Sequence, residues 1–177
     1  MKEKPKVVII DTSALLSGKP IHIENAEMLT TPAVAAELKP GGRDYRTFQL
    51  LQEKGLLIES PSQESLQKIK KTAEQTGDIQ RVSPADIEIL ALALDIKKAG
   101  DREPILLTDD YSIQNVADAA QIPFQSFSQQ GITKRFKWFC RCPGCGKQFR
   151  EPVKICPVCG TETKAVCHRK QALKRSK

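Results

Sequence analysis

Six cysteines, all in the last third of the chain, are the first residues whose spacing implies chemistry. Cys142-Pro-Gly-Cys145-Gly and Cys156-Pro-Val-Cys159-Gly are near-identical knuckles separated by ten residues. In each, two thiolates bend around one metal. The proline stiffens the turn, and the glycine lets backbone N–H groups approach sulfur. Four thiolates in tetrahedral geometry suit one structural Zn²⁺. A redox Cys-x-x-Cys is the rival for either pair alone, and the duplication speaks against it. The segment has too little core to fold without metal, so zinc binding supplies its folding energy. Cys140, Cys167 and His168 remain as irregularly spaced spare ligands and are read as free residues.

A second chemistry is carried by four acids. Asp11 follows the buried run Val7-Val8-Ile9-Ile10, and Asp109 follows Ile105-Leu106-Leu107-Thr108. Glu37 is the only charge in Pro-Ala-Val-Ala-Ala-Glu-Leu, and Asp86 lies in the first turn of a strongly apolar helix. In a parallel sheet, strand ends and helix starts share one edge, so Asp11, Asp86 and Asp109 can converge there, with Glu37 reaching over. Clustered carboxylates repel one another. A hard divalent cation with oxygen preference supplies the counter-charge. Each acid also has a structural alternative. Asp11 could N-cap the following short helix. Asp86 forms a capping-box-like pattern with Ser83. Asp109 could cap the next helix, Asp110 could do so even better, and Glu37 could pair with an arginine.

The elements that position these residues follow from periodicity and punctuation. Four consecutive β-formers at Val7–Ile10 fit a strand buried on both faces. Ser13–Ser17 turns into a short helix, and Met28–Thr30 is a short strand. Thr31-Pro32 opens a helix to Leu38. Arg43–Lys54 is amphipathic with Phe48, Leu50 and Leu51 inward, and Leu56–Glu59 is a strand. Ser62–Gln75 is helical, and Thr76–Val82 is a polar connection. Ser83-Pro84 opens the most apolar helix, which ends at Gly100. Pro104–Leu107 is a strand, Ser112–Ala120 a helix and Phe124–Phe127 a last short strand. Strands alternating with helices predict an α/β domain with a mainly parallel central sheet over residues 1–130. A basic linker over 131–139, a zinc ribbon over 140–164 and a basic tail over 165–177 follow.

Charge divides along the same line. Residues 134–177 hold 13 Lys/Arg against two acids, a net +11. The remainder holds 15 basic and 19 acidic residues, a net −4. Such asymmetry points to a polyanion, nucleic acid above all, as partner. Lys134, Arg135, Lys137 and Trp138 of the linker, with Lys147, Arg150, Lys154 and Lys164 of the ribbon, are the candidate phosphate contacts. Aromatic content of 5% argues against a binding surface built mainly on stacking. No apolar run is long enough to span a membrane, and the N-terminus does not read as a signal peptide. The expected compartment is the cytoplasm, with no membrane partner.

The order IIDTSAL, AVAAELK, SPADIEILALAL and ILLTDDYSI resembles the PIN-domain endoribonucleases over about residues 6–127. The resemblance implies a PIN-like three-layer fold and assigns Asp11, Glu37, Asp86 and Asp109 as metal-binding catalytic acids. Asp110, Ser13 and Thr108 are its auxiliary residues. It implies metal-dependent cleavage of single-stranded RNA, leaving 3′-hydroxyl and 5′-phosphate ends. A PIN domain followed by a ribbon is similar to the Nin-one-binding protein family in its short archaeal form. That resemblance implies maturation of the 3′ end of the small-subunit (16S) ribosomal RNA precursor on pre-ribosomal particles, among ribosome assembly factors. Two other readings compete: an RNA-binding assembly factor that cuts nothing, and a toxin-type PIN ribonuclease. The ribbon speaks against the second, since such toxins resemble a lone PIN domain.

Overall fold

The computed structural model of the chain describes residues 4–17, 26–126, 134–149 and 153–172. A five-stranded parallel sheet is formed by β1 (Lys6–Ile10), β2 (Ala26–Thr30), β3 (Leu56–Ile58), β4 (Glu103–Leu107) and β5 (Phe124–Gln125), in the order β3-β2-β1-β4-β5. The chain steps outward from β1 to β3, then crosses back to β4 on the other side of β1. The strand order therefore reverses between β1 and β4, and open α/β sheets place their crevice outside the strand ends at that point.

The helices are α1 (Thr12–Leu16), α2 (Pro32–Glu37), α3 (Arg43–Glu53), α4 (Gln63–Thr76), α5 (Pro84–Ala99) and α6 (Tyr111–Ala119). α1 packs with α3, whereas α4, α5 and α6 pack with one another and α2 packs on α5. Val7, Val8, Ile9 and Ile10 are fully buried, as a strand covered on both faces requires. α5 buries nine residues from Ala85 to Ile96, which makes it the central helix. Burial of each such Leu or Ile side chain contributes roughly 1.5–3 kcal/mol. Among the described residues, the apolar core runs from Val7 to Ile122 and includes none of the C-terminal segment.

A second sheet has the order β7-β6-β8, from β6 (Lys134–Arg141), β7 (Gln148–Phe149) and β8 (Lys164–Ala172), all antiparallel. The basic stretch read as a linker forms β6 from Lys134 onward, and β8 carries the stretch read as a tail through Ala172. Their mutual pairing gives each the partner that its own sequence does not announce. Leu50 was expected inward and is 49% exposed, because Phe48 and Leu51 are the residues of α3 that face the core. The last strand of the first sheet is only Phe124–Gln125; Phe127 lies outside the described residues.

Candidate functional site

Asp11 leaves β1 at the reversal point. Its N–H donates to the Leu107 carbonyl at 3.3 Å, continuing the β1–β4 ladder by one residue. Asp11 stands at the N-cap position of α1, yet its side chain makes no capping hydrogen bond. Instead its Oδ2 accepts the Ser13 hydroxyl at 2.6 Å and the Thr108 hydroxyl at 2.7 Å. The carboxylate is 2% exposed, and burial raises its pKa against the opposing hydrogen bonds. The capping alternative is thereby set aside: a buried carboxylate is held by two hydroxyls on one oxygen.

Asp86 takes the capping role foreseen for it. Its Oδ2 accepts the Ser83 N–H at 2.6 Å, and its own N–H donates to Ser83 Oγ at 3.2 Å, completing a capping box. Its pKa is pushed up to about 6, first by burial and then by the charges of Asp11 and Asp110. The charges of Asp11 and Asp110 therefore both act on Asp86. The sign gives a prediction. A folded-state pKa above the ordinary 3.8 means that the charged Asp86 costs stability above about pH 6, and that the cost fades as pH falls toward 3.8. In divalent-free buffer the melting-temperature gain of Asp86→Asn over wild type should shrink steadily over this window. A gain independent of pH would show that the carboxylate is not under strain.

Of the two acids after β4, the better capping candidate is the one that caps. Asp110, not Asp109, caps α6: its Oδ1 accepts the N–H groups of Ser112 at 2.6 Å and Ile113 at 3.4 Å. Asp109 Oδ1 accepts the Ser126 hydroxyl, and the Asp109 N–H donates to Ser13 Oγ at 3.4 Å. Asp110 is the one whose charge acts on Asp86. Glu37, at the end of α2, is exposed and accepts the Thr12 hydroxyl at 2.7 Å, which brings it to the first residue of α1. Among the described residues, no three carboxylates bring their oxygens within 4.8 Å of one another; the four cysteines alone form such a group.

Several positioning residues had no signal in the sequence. Glu88 accepts the Ala33 N–H at 3.1 Å and so ties α2 to α5. Buried Asp78 accepts the Asn115 amide at 2.5 Å, and buried Gln114 donates to the Thr108 carbonyl at 2.8 Å. The adjacent pair Gln114-Asn115 in an otherwise apolar helix turn was the one available hint.

In the C-terminal segment the two knuckles are superimposable in their bonding. Cys142 N–H donates to Lys147 O and Gly146 N–H to Cys142 O; Cys156 N–H donates to Thr161 O and Gly160 N–H to Cys156 O, each at 2.9 Å. Gly146 and Gly160 take φ of +75° and +72°, which glycine adopts without strain. Sγ atoms of Cys142 and Cys159 are 3.3 Å apart, and those of Cys145 and Cys156 are 3.6 Å apart. A tetrahedral set of Zn–S bonds of about 2.3 Å separates its sulfurs by about 3.8 Å. Hydrogen bonds from Thr161 hold the Cys159 thiol down to about 6, toward the thiolate a metal takes. The donor set thus fits a structural zinc. Lys147, Lys154 and Lys164 are exposed around it. The side chains of Lys134, Arg135, Lys137, Trp138, Arg150, Cys167 and His168 lie outside the described residues.

Comparison with known proteins adds three relatives and a family. The profile of the family described as PIN domain of ribonuclease matches residues 8–96. Endoribonuclease Nob1 of Archaeoglobus fulgidus is 40% identical over 157 residues, covering 89% of each chain. Ribonuclease VapC1 of Thermoplasma acidophilum is 36% identical over 158 residues, 89% of this chain and 77% of that protein. The 20S-pre-rRNA D-site endonuclease NOB1 of Saccharomyces cerevisiae is 30% identical over 95 residues, 52% of this chain and 20% of that protein.

Proposed function

Because the chain belongs to the PIN-domain endoribonucleases of the Nob1 type, we propose that it matures the 3′ end of the small-subunit (16S) ribosomal RNA precursor. The observation that supports this most is the buried carboxylate of Asp11 at the strand-order reversal, with Asp86 pushed up to about 6, first by burial and then by the charges of Asp11 and Asp110. Oxygen-only donors under mutual repulsion fit Mg²⁺ or Mn²⁺. Asp11, Glu37, Asp86 and Asp110 would hold the cation, with Asp109 one residue behind and bonded to Ser126. When bound, such an ion polarises a phosphoryl oxygen, lowers the pKa of water and stabilises the leaving oxygen.

The chain's own residues do the rest. Ser13 and Thr108 fix one oxygen of Asp11 and leave Oδ1 without a side-chain donor. The Thr108 hydroxyl also accepts the Asp110 N–H at 3.1 Å, so one side chain sets the spacing of two acids. Thr12 holds Glu37 beside them. The zinc-bearing segment, at +11, supplies most of the RNA affinity and keeps substrate near a body that is itself net negative.

The RNA target is proposed as the pre-rRNA on small-subunit particles, in the cytoplasm, among assembly factors. No helix of the described residues is long and apolar enough to cross a membrane. The yeast relative's name specifies a 20S pre-rRNA site. The VapC1 relative matches over 158 of 177 residues and so overlaps the ribbon, which sets it apart from a lone PIN toxin. The test is to incubate the protein and Mn²⁺ with an RNA spanning the 3′ end of the 16S precursor and to map the ends. One cut at the mature terminus, with 3′-hydroxyl and 5′-phosphate products, is expected. Binding without cleavage would favour the non-catalytic assembly factor, and scattered cuts in unrelated RNA would favour a toxin.

A further inference from the structure

Thr31 follows β2 as Asp11 follows β1 and Thr108 follows β4. Ile9 pairs with Leu29, and Ile10 pairs with Leu107. Carrying both ladders past the strand ends sets Thr31, Asp11 and Thr108 in one row across the carboxyl edge of the sheet. Residues in register project to the same face. The Thr108 hydroxyl reaching Asp11 identifies that face. Thr30 projects the other way and donates to the Ile10 carbonyl at 3.0 Å.

Thr31 also occupies the N-cap of α2, where a threonine oxygen ordinarily accepts an N–H from the first turn. Here it accepts none. Pro32 has no N–H, and the Ala33 N–H goes to Glu88. The Thr31 side chain is fully buried, and its Oγ1 has no hydrogen-bond partner among the described residues. Leaving a buried hydroxyl unsatisfied costs stability. Valine would fill the same volume without that cost. Glu88 has therefore relieved Thr31 of its capping role, and Thr31 is the register neighbour of Asp11, whose Oδ1 has no side-chain donor among the described residues.

We propose that Thr31 is a positioning residue of the divalent-cation site, its hydroxyl hydrogen-bonding the water shell of an ion held at Asp11, on the flank opposite Thr108. This rests on the reading of Asp11 as a cation ligand. Outer-shell partners of metal ligands typically contribute about 10–100-fold in affinity.

The test uses the zinc-loaded full-length chain and Mn²⁺ titrations followed by electron paramagnetic resonance, with melting curves in divalent-free buffer. Thr31→Val should be at least as stable as wild type yet bind Mn²⁺ about tenfold more weakly or worse. Thr31→Ser, which keeps the hydroxyl, should bind within about twofold of wild type. Should valine fail to fold, Thr31→Ala makes the same comparison of affinity. Wild-type Mn²⁺ affinity in the valine or alanine variant overturns the proposal and leaves the cation site standing. Loss of affinity that serine does not restore also overturns it, as a packing effect. If the wild-type chain binds no Mn²⁺, the cation reading fails and this inference fails with it.

Discussion

Asp11→Asn should lower RNA cleavage about a thousandfold or more while raising the melting temperature of the divalent-free protein. Cation catalysis supplies several kcal/mol of transition-state stabilisation. Each 1.36 kcal/mol is about tenfold in rate. Asparagine keeps an oxygen that can accept the Ser13 and Thr108 hydroxyls, so the end of β1 should hold its shape. What it loses is a buried charge whose pKa the fold raises. A raised carboxylate pKa is a stability cost at neutral pH, so removing the charge stabilises. A purely structural Asp11 would give the opposite pair of results, wild-type cleavage with reduced stability. Single-turnover cleavage and a melting curve on one preparation distinguish the two.

Withdrawing zinc should unfold the C-terminal segment, leave the α/β domain intact and reduce RNA affinity about tenfold or more at low salt. Among the described residues of that segment, only Cys142 and Cys156 are buried, both of them knuckle cysteines. Three antiparallel strands with so little apolar interior are not stable alone. Structural zinc contributes about 10–16 kcal/mol to such domains. Among the described residues, the core from Val7 to Ile122 takes none from these strands. RNA affinity should go with the ribbon because the basic side chains lose their common frame. Log affinity of the zinc-loaded protein should fall with log salt by roughly 0.7 per phosphate neutralised, and the chelated protein should show a flatter slope. The check is a zinc-selective chelator with Mn²⁺ replenished, read by hydrogen exchange and filter binding. Protected amides in β6 and β8 after chelation would refute it, and two zincs per chain would restore Cys140, Cys167 and His168 as ligands.

Legibility in the sequence followed physical locality. β1 and α5 were readable because each buries a continuous run, and Asp11 was readable as the abrupt end of one. The knuckles were readable because four thiols at fixed spacing have few other uses. β6 and β8 were missed because their basic residues interrupt any alternation; they are strands through pairing with each other across the metal turns. Asp110 was readable as the better cap of α6 because it stands immediately before the first helical residue. Glu88 and Ala33 meet across 55 residues of chain, so neither that bond nor the hydroxyl it frees at Thr31 has any local sign.

The capping box at the start of α5 bears on what would survive in a lineage no longer selected for cleavage. Asp86 stabilises its helix through two bonds to Ser83, and the charges that strain it come from Asp11 and Asp110. Once Asp11 is replaced, part of that strain goes and the helix cap remains. The first acid to drift should therefore be Asp11, whose loss relieves the fold. Asp86 should persist for a reason unrelated to RNA. Among degenerate copies, an intact Asp86 would say nothing about activity, whereas an intact Asp11 would be the mark of a chain still cutting.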